Sequence, residues 1–150
     1  MNRIKKLIKS EGFRELFVYG VVGVLTTVVN YAVYYGVTRL AALLAGIAPD
    51  HAALILVANI LSWVASVAFA FWANKKYVFR SAGWDKATLK KEVPSFVLAR
   101  LFSLGLDTAI LELMVHAGVH DLIAKLVANV VVIVANYFLS KFWIFSKKKK

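Results

Sequence analysis

Cysteine is absent from the chain, so no disulfide staples it and no thiolate can serve as nucleophile or metal ligand. That absence leaves the redox compartment open. Proline is confined to two positions. Pro49, with Asp50, marks the entry to one helix, and Pro94 opens another at a tolerated first-turn position. Acidic residues are scarce, eight against nineteen basic ones for a net charge of +11. No nucleophile–base arrangement, phosphate-cradling glycine loop or close carboxylate pair is present, and Asp107 and Glu112, five apart, face different directions on a helix. Enzyme chemistry is therefore not expected, and neither is a cofactor or a bound metal.

What the chain has instead is apolar length. Hydrophobic residues make up 61% of its 150 positions, gathered into blocks of roughly twenty, enough to cross a bilayer. A soluble protein of this size cannot bury so much apolar surface. The reading is an all-α integral membrane protein, one domain over 1–150 with transmembrane helices at about 16–37, 52–73, 94–117 and 122–142. Sixteen basic residues fall at the two ends and in the loop between spans two and three, against Arg39 and Lys125 on the other side and Arg100 within the membrane. The positive-inside rule places both termini and the middle loop in the cytoplasm. That placement accounts for the positive charge without nucleic acid.

Residues 1–15 carry Ile4, Leu7 and Ile8 at helical spacing among lysines, which suits either a short interfacial helix or a solvated tail that orients the first span. The apolar stretch that follows is longer than a signal-peptide core, so cleavage is not expected. Span one has Gly20, Gly23, Thr26, Thr27 and Asn30 on or near one face, a pattern that permits close helix packing. The outer connection, TRLAALLAGIAPDH, should hug the membrane surface. Span two carries Asn59, Ser62 and Ser66 as a narrow polar stripe and closes in FWANKKYVF, whose Trp72, Tyr77 and Phe79 suit headgroup depth. A short surface helix from Asp85 to Glu92 precedes span three. Glu112, His116 and His120, spaced by four, can line one side of its outer end, where they read as solvated residues because no further metal ligand is evident. Span four places Lys125, Asn129, Asn136 and Ser140 along one face, and the closing lysines form an orientation and lipid-contact tail.

Span three is where the polarity concentrates. Arg100 and Asp107 interrupt its apolar run, each costing about 2.5–3.5 kcal/mol near mid-membrane. Its eleven Leu, Ile, Val and Phe residues between 96 and 115 return only about 0.3–0.6 kcal/mol apiece. The two charges are seven residues apart with Ser103 between them, so all three share a face. That face must look toward protein or water.

The two halves of the chain resemble each other. Gly23, Thr26 and Asn30 correspond to Arg100, Ser103 and Asp107 at an offset of 77; Asn59 corresponds to Asn129 at 70; NKKYVF (74–79) corresponds to SKFWIF (140–145) at 66. Both halves start on the cytoplasmic side, so they read as two parallel helical-hairpin repeats. Asn30, Asn59, Asp107, Asn129 and Asn136 then converge with Arg100 on one interior.

With FVYGVVGVLTTVVNY (17–31), the charged third span and the paired lysine–aromatic–Phe endings, the chain resembles the GtrA-like family over essentially its whole length. The resemblance implies a function with polyprenyl-phosphate-linked sugars in cell-surface polysaccharide glycosylation, teichoic acid among them, at the plasma membrane of a prokaryote. A family of this kind flips the lipid-linked sugar across the bilayer or serves as a non-transporting partner of a membrane-associated glycosyltransferase. Similar four-helix segments are fused to some dolichyl-phosphate-mannose-synthase-like enzymes, and no such catalytic domain is expected here.

On the flipping reading, Arg100 forks hydrogen bonds onto the phosphate, and Lys75, Lys76 and Lys141 gather the headgroup at the cytoplasmic leaflet. Asp107, Asn30, Asn59, Asn129, Asn136 and Ser103 meet the sugar deeper in. The competing structural reading pairs Arg100 with Asp107 to fix helix packing. A third reading, a small proton-coupled exporter with Asp107 as the titrating group, is compatible with four spans. Four helices enclose little volume, which favours a homodimer or a groove open to membrane lipids.

Overall fold

The computed structural model describes residues 11–48 and 51–146. Expectations for residues 1–10, for Pro49 and Asp50 and for the closing lysines 147–150 fall outside them. No strand occurs among the described residues. The chain divides into two compact units, Met1–Arg80 and Ser81–Lys150, and each is a helical hairpin.

In the first unit, helix α1 (Glu11–Ala45) runs 35 residues. It continues through the segment expected to be an outer connection, because TRLAALLA contains only residues a helix accepts, and it stops where Gly46 takes a φ of +63°. Thr26, Thr27 and Thr38 donate their hydroxyls to the carbonyls of Val22, Gly23 and Tyr34. Such back-bonds satisfy hydroxyls without water, as a membrane interior requires. Helix α2 (Ala52–Ala73) returns against α1. Its buried residues, Leu54, Ala58, Ser62, Ser66, Ala70 and Ala73, recur almost every four positions and are nearly all small. Small side chains let two backbones approach closely. Gly20 and Gly23, expected to do the same on α1, face open space instead, with nothing within 4 Å of where a Cβ would stand.

In the second unit, helix α3 (Lys86–His116) is one continuous rod of 31 residues. The expected short helix over 85–92 is its first two turns, so Pro94 lies inside the helix rather than at its start. The reason is the cap. Asp85 accepts hydrogen bonds from the Thr88 backbone N–H (3.1 Å) and from Thr88 Oγ1 (2.7 Å), and the residues that follow are good helix formers. Gly83 supplies a φ of +89° just before it, and a Cβ there would come within 3.2 Å of Asp85 Oδ1. Pro94 removes one hydrogen bond to the preceding turn. Ser81 Oγ donates to Glu92 Oε1 at 3.0 Å, tying the loop to this stretch. At the far end α3 stops at His116, Gly118 turns the chain at φ +83° and His120 caps helix α4 (Asp121–Leu139) by accepting from Leu122 N–H. Glu112, His116 and His120 therefore do not line one side of a helix, because the third of them belongs to the next one.

Both hairpins end alike. The second helix of each passes into a π turn, Asn74–Val78 in the first unit and Ser140–Ile144 in the second. Their i→i+5 bonds are Phe79 N–H to Asn74 O (2.9 Å) and Phe145 N–H to Ser140 O (2.8 Å). The closing phenylalanine then packs on a ring of its own hairpin's first helix, Phe79 on Tyr19 and Phe145 on Phe96, with centroids 6.3 and 6.0 Å apart. Phe79 is buried.

α1, α2 with its π turn, and the stretch Leu122–Ile144 are each long and apolar enough to cross a membrane. α3 is long enough but carries Arg100, Asp107 and Glu112 in its apolar stretch.

The cap on α3 is directly testable. Thr88's hydroxyl, and then its backbone N–H, hold the Asp85 carboxyl below its ordinary value. A carboxylate with a depressed folded pKa stabilises the fold above its unfolded pKa and loses that contribution as pH falls through the folded one. Asp85→Ala should therefore lower the melting temperature in detergent by an amount that is constant above about pH 5 and shrinks in stronger acid. Asp85→Asn, which still caps, should recover most of the loss.

Candidate functional site

The second hairpin carries a column of polar side chains between its two helices. Ser103, buried on α3, lies 2.6 Å from Asn136 Oδ1 on α4 and 2.7 Å from the carbonyl of Ala99. A hydroxyl has one proton and cannot donate to both. Turning the Asn136 amide exchanges its nitrogen and oxygen, so that Nδ2 donates to Ser103 while Ser103 donates to Ala99. One helical turn further along α3, Asp107 is paired with Lys125 of α4, Nζ to Oδ2 at 2.5 Å. Its other oxygen, Oδ1, is buried and has no hydrogen-bond partner among the described residues.

Arg100, one turn the other way, does not pair with Asp107. Its guanidinium carbon stands 4.9 Å over the ring of Phe96, four residues earlier on the same helix. Within this hairpin no described residue gives it a carboxylate or a carbonyl. The guanidinium is half-buried, with a ring on one face and five hydrogen-bond donors. Arg100 and Asp107 are about 10 Å apart along the helix. Read from the Pro94 end toward the His116 end, the column is cation, neutral hydrogen-bonded pair, ion pair.

The remaining expected residues divide. Lys141 donates to Tyr137 Oη at 3.0 Å and lies over that ring, while Asn129 points outward, exposed, one position round the helix from buried Ala128. In the first unit Asn30 Nδ2 donates to Ser66 Oγ on α2 at 3.4 Å, and Asn59 is exposed beside fully buried Ala58. The asparagines thus fall into two kinds, Asn30 and Asn136 bonded inside their hairpins and Asn59 and Asn129 outside. The stripe Asn59–Ser62–Ser66 splits because Asn59 is off the four-residue row that Ala58, Ser62 and Ser66 follow. Span four's expected single face splits in the same way, Lys125 and Asn129 lying beside the buried row of Ala124, Ala128, Asn136 and Ser140.

Lys75 and Lys76, adjacent in sequence, take opposite places. Lys76 is exposed, with its ammonium 5.2 and 5.3 Å from the rings of Trp72 and Tyr77, which meet edge to face. Lys75 is the largest fully buried side chain of the chain. It sits inside the π turn beside Asn74, whose Nδ2 donates to the carbonyl of Ala70 at 2.8 Å. A lysine so enclosed does not reach out to a leaflet surface.

Sequence reasoning missed Lys125 and Phe96 as members of this column. Both carried a signal. Lys125 is the one basic residue between Arg100 and Lys141, in an apolar helix where a lone charge needs a partner. Phe96 is four residues before Arg100, the spacing at which helical side chains meet. Among the described residues, no group of three His, Asp or Glu side chains is placed to hold a metal ion.

Comparison with known proteins decides the family. The model of the GtrA/DPMS transmembrane domain matches residues 18–145. The chain belongs to that family. YwcD, a membrane protein of Bacillus subtilis (strain 168), is 34% identical over 88% of this chain and 97% of its own length. The cell wall teichoic acid glycosylation protein GtcA of Listeria monocytogenes serovar 1/2a is 32% identical over 99% of this chain and 100% of its own. GtcA of Listeria innocua serovar 6a is 30% identical over the same shares. No solved structure matches the chain. This GtrA/DPMS family member is thus a bacterial-type membrane protein whose charged column lies in its second hairpin.

The Ser103–Asn136 contact should have a measurable energy. In a double-mutant cycle with Ser103→Ala and Asn136→Ala, unfolding in bicelles should give a coupling of about 0.6 kcal/mol, the usual size such cycles find for an interhelical hydrogen bond in a membrane. A coupling near zero would mean that the two side chains do not meet.

Proposed function

We propose that this protein translocates a polyprenyl-phosphate-linked sugar across the plasma membrane for glycosylation of a cell-surface polymer, and that it is not itself a catalyst. The observation that carries the reading is Arg100, a guanidinium set within an apolar helix, backed by Phe96 and given no anion by the described residues of its own hairpin. An anion that arrives from outside the protein, bearing a diffuse charge on planar or tetrahedral oxygens, is what such a group binds best. A phosphodiester is such an anion. The prenyl chain stays in lipid while the sugar follows the phosphate along the polar side of α3. Kinship with GtcA, named for teichoic acid glycosylation, supports a polymer of that class as the final acceptor.

On this reading the whole chain is one membrane domain of four spans, with α3 as the third. Its two hairpins are parallel repeats with both termini in the cytoplasm, which puts Arg100 toward the cytoplasmic leaflet, the exposed Lys76 at its surface and Lys141 half-buried nearby. The matching π turns and ring pairs in the two hairpins support the repeat. The distribution of basic residues supports the orientation. The chain has no native cysteine, so single cysteines placed in the Ser81–Asp85 loop and between residues 46 and 48 report sidedness cleanly. The loop should label only after a membrane-impermeant thiol reagent is given access to the cytoplasm, and the 46–48 position should label in intact cells.

Transport itself is tested in reconstituted vesicles with a short-chain citronellyl phosphoglucose. Arg100→Ala should abolish translocation while the protein still folds, and Arg100→Lys should retain a fraction. Translocation by Arg100→Ala at the unmutated rate would refute the role of Arg100. A wild-type protein that moves no probe, yet copurifies with a glycosyltransferase and restores glycosylation when Arg100 is neutralised, would establish the scaffold function instead.

A further inference from the structure

We propose that Lys125 is a second phosphate-binding station, two helical turns beyond Arg100, and that Asp107 governs its occupancy. This deepens the flipping reading above and rests on it. Three observations lead here. Lys125 is a cation on an apolar helix, five residues into α4, with its side chain 47% exposed while it touches Asp107. The lysine is therefore neutralised but still approachable, unlike a structural charge sealed in a core. Asp107 spends only one oxygen on it; the other is buried and without a donor among the described residues. Finally, Lys125 meets α3 at the level of Asp107, about 10 Å along the helix from Arg100, with the Ser103–Asn136 pair between them.

Physics favours two cations of unequal strength over one. A single strong site in hydrocarbon would hold a phosphate and not release it, whereas passage needs binding weak enough to leave. Arg100, given no anion by the described residues of its hairpin, takes the phosphodiester. Lys125 can accept it only by giving up the Asp107 carboxylate, and that carboxylate repels the phosphate as soon as both are near. The competition lowers the affinity of the second station and speeds departure toward the His116 end. While Lys125 is engaged, the freed carboxylate is an acceptor for the hydroxyls of the sugar, so Asp107 acts as a positioning residue and Lys125 as a binding one.

Four variants distinguish this from an ion pair that merely holds two helices together. With citronellyl phosphoglucose in vesicles, Lys125→Arg should keep translocation within a few-fold. Lys125→Met should lower kcat by roughly tenfold while equilibrium binding of the probe at Arg100 persists. Asp107→Asn should tighten probe binding and slow turnover, lowering KM and kcat together. The decisive variant is the neutral double, Asp107→Asn with Lys125→Met, which leaves no unpaired charge. A packing role predicts that this protein folds and transports like the parent; the station predicts that it folds but turns over roughly tenfold more slowly, as Lys125→Met does. Transport at the parental rate by the folded double variant, as also follows if Lys125 only meets bulk lipid phosphate, overturns the proposal and leaves the role of Arg100 standing. If the unmutated protein moves no probe, the flipping reading and the station fall together.

Discussion

Unpaired charge cannot rest in hydrocarbon, and that constraint organises the second hairpin. Three charged side chains fall in the column between its two helices, Arg100 and Asp107 on α3 and Lys125 on α4. Two of them cancel by direct contact. The third has its charge spread over a planar group laid on an aromatic face, which lowers the cost of keeping a cation in an apolar helix. The matching positions of the first hairpin, Gly23, Thr26 and Asn30, carry no charge. At these positions the charge is thus confined to the second hairpin.

Elsewhere the polar groups are settled locally. Threonines and serines return their protons to carbonyls of the preceding turn, as Ser62 does to Asn59 and Ser66 to Trp63. Ser66, having donated, is then free to accept from Asn30. These short-range bonds let each helix enter an apolar medium with few debts to its neighbour.

Much of this was readable before any coordinates. The blocks of apolar sequence and the one-sided distribution of lysine and arginine identify a membrane protein, and the shared face of Arg100, Ser103 and Asp107 follows from helical spacing alone. Helix ends were harder. α1 overran its expected limit because nothing in TRLAALLA stops a helix, and α3 began two turns early because the Asp85–Thr88 cap outweighed the signal of Pro94. The asparagines misled for a geometric reason. Asn59 and Asn129 are one residue from the buried rows of their helices, and one residue is about 100° of rotation, enough to turn a side chain from inside to outside. The π turns left no trace in periodicity, since they depend on where the closing phenylalanine finds its ring.

α1 carries a consequence of its own. At 35 residues it is about 52 Å long, while the hydrocarbon slab is about 30 Å thick. Even a tilt of about 40°, the upper end of what spanning helices adopt, would occupy only about 39 Å of it. Roughly two turns must therefore stand outside the hydrocarbon, and Leu43 and Leu44 are more than 80% exposed at its end. A thicker bilayer would simply cover more of this rod, whereas a thinner one would leave leucine in water. The protein should therefore be more at home in thick membranes than in thin ones, a preference written into a single overlong helix.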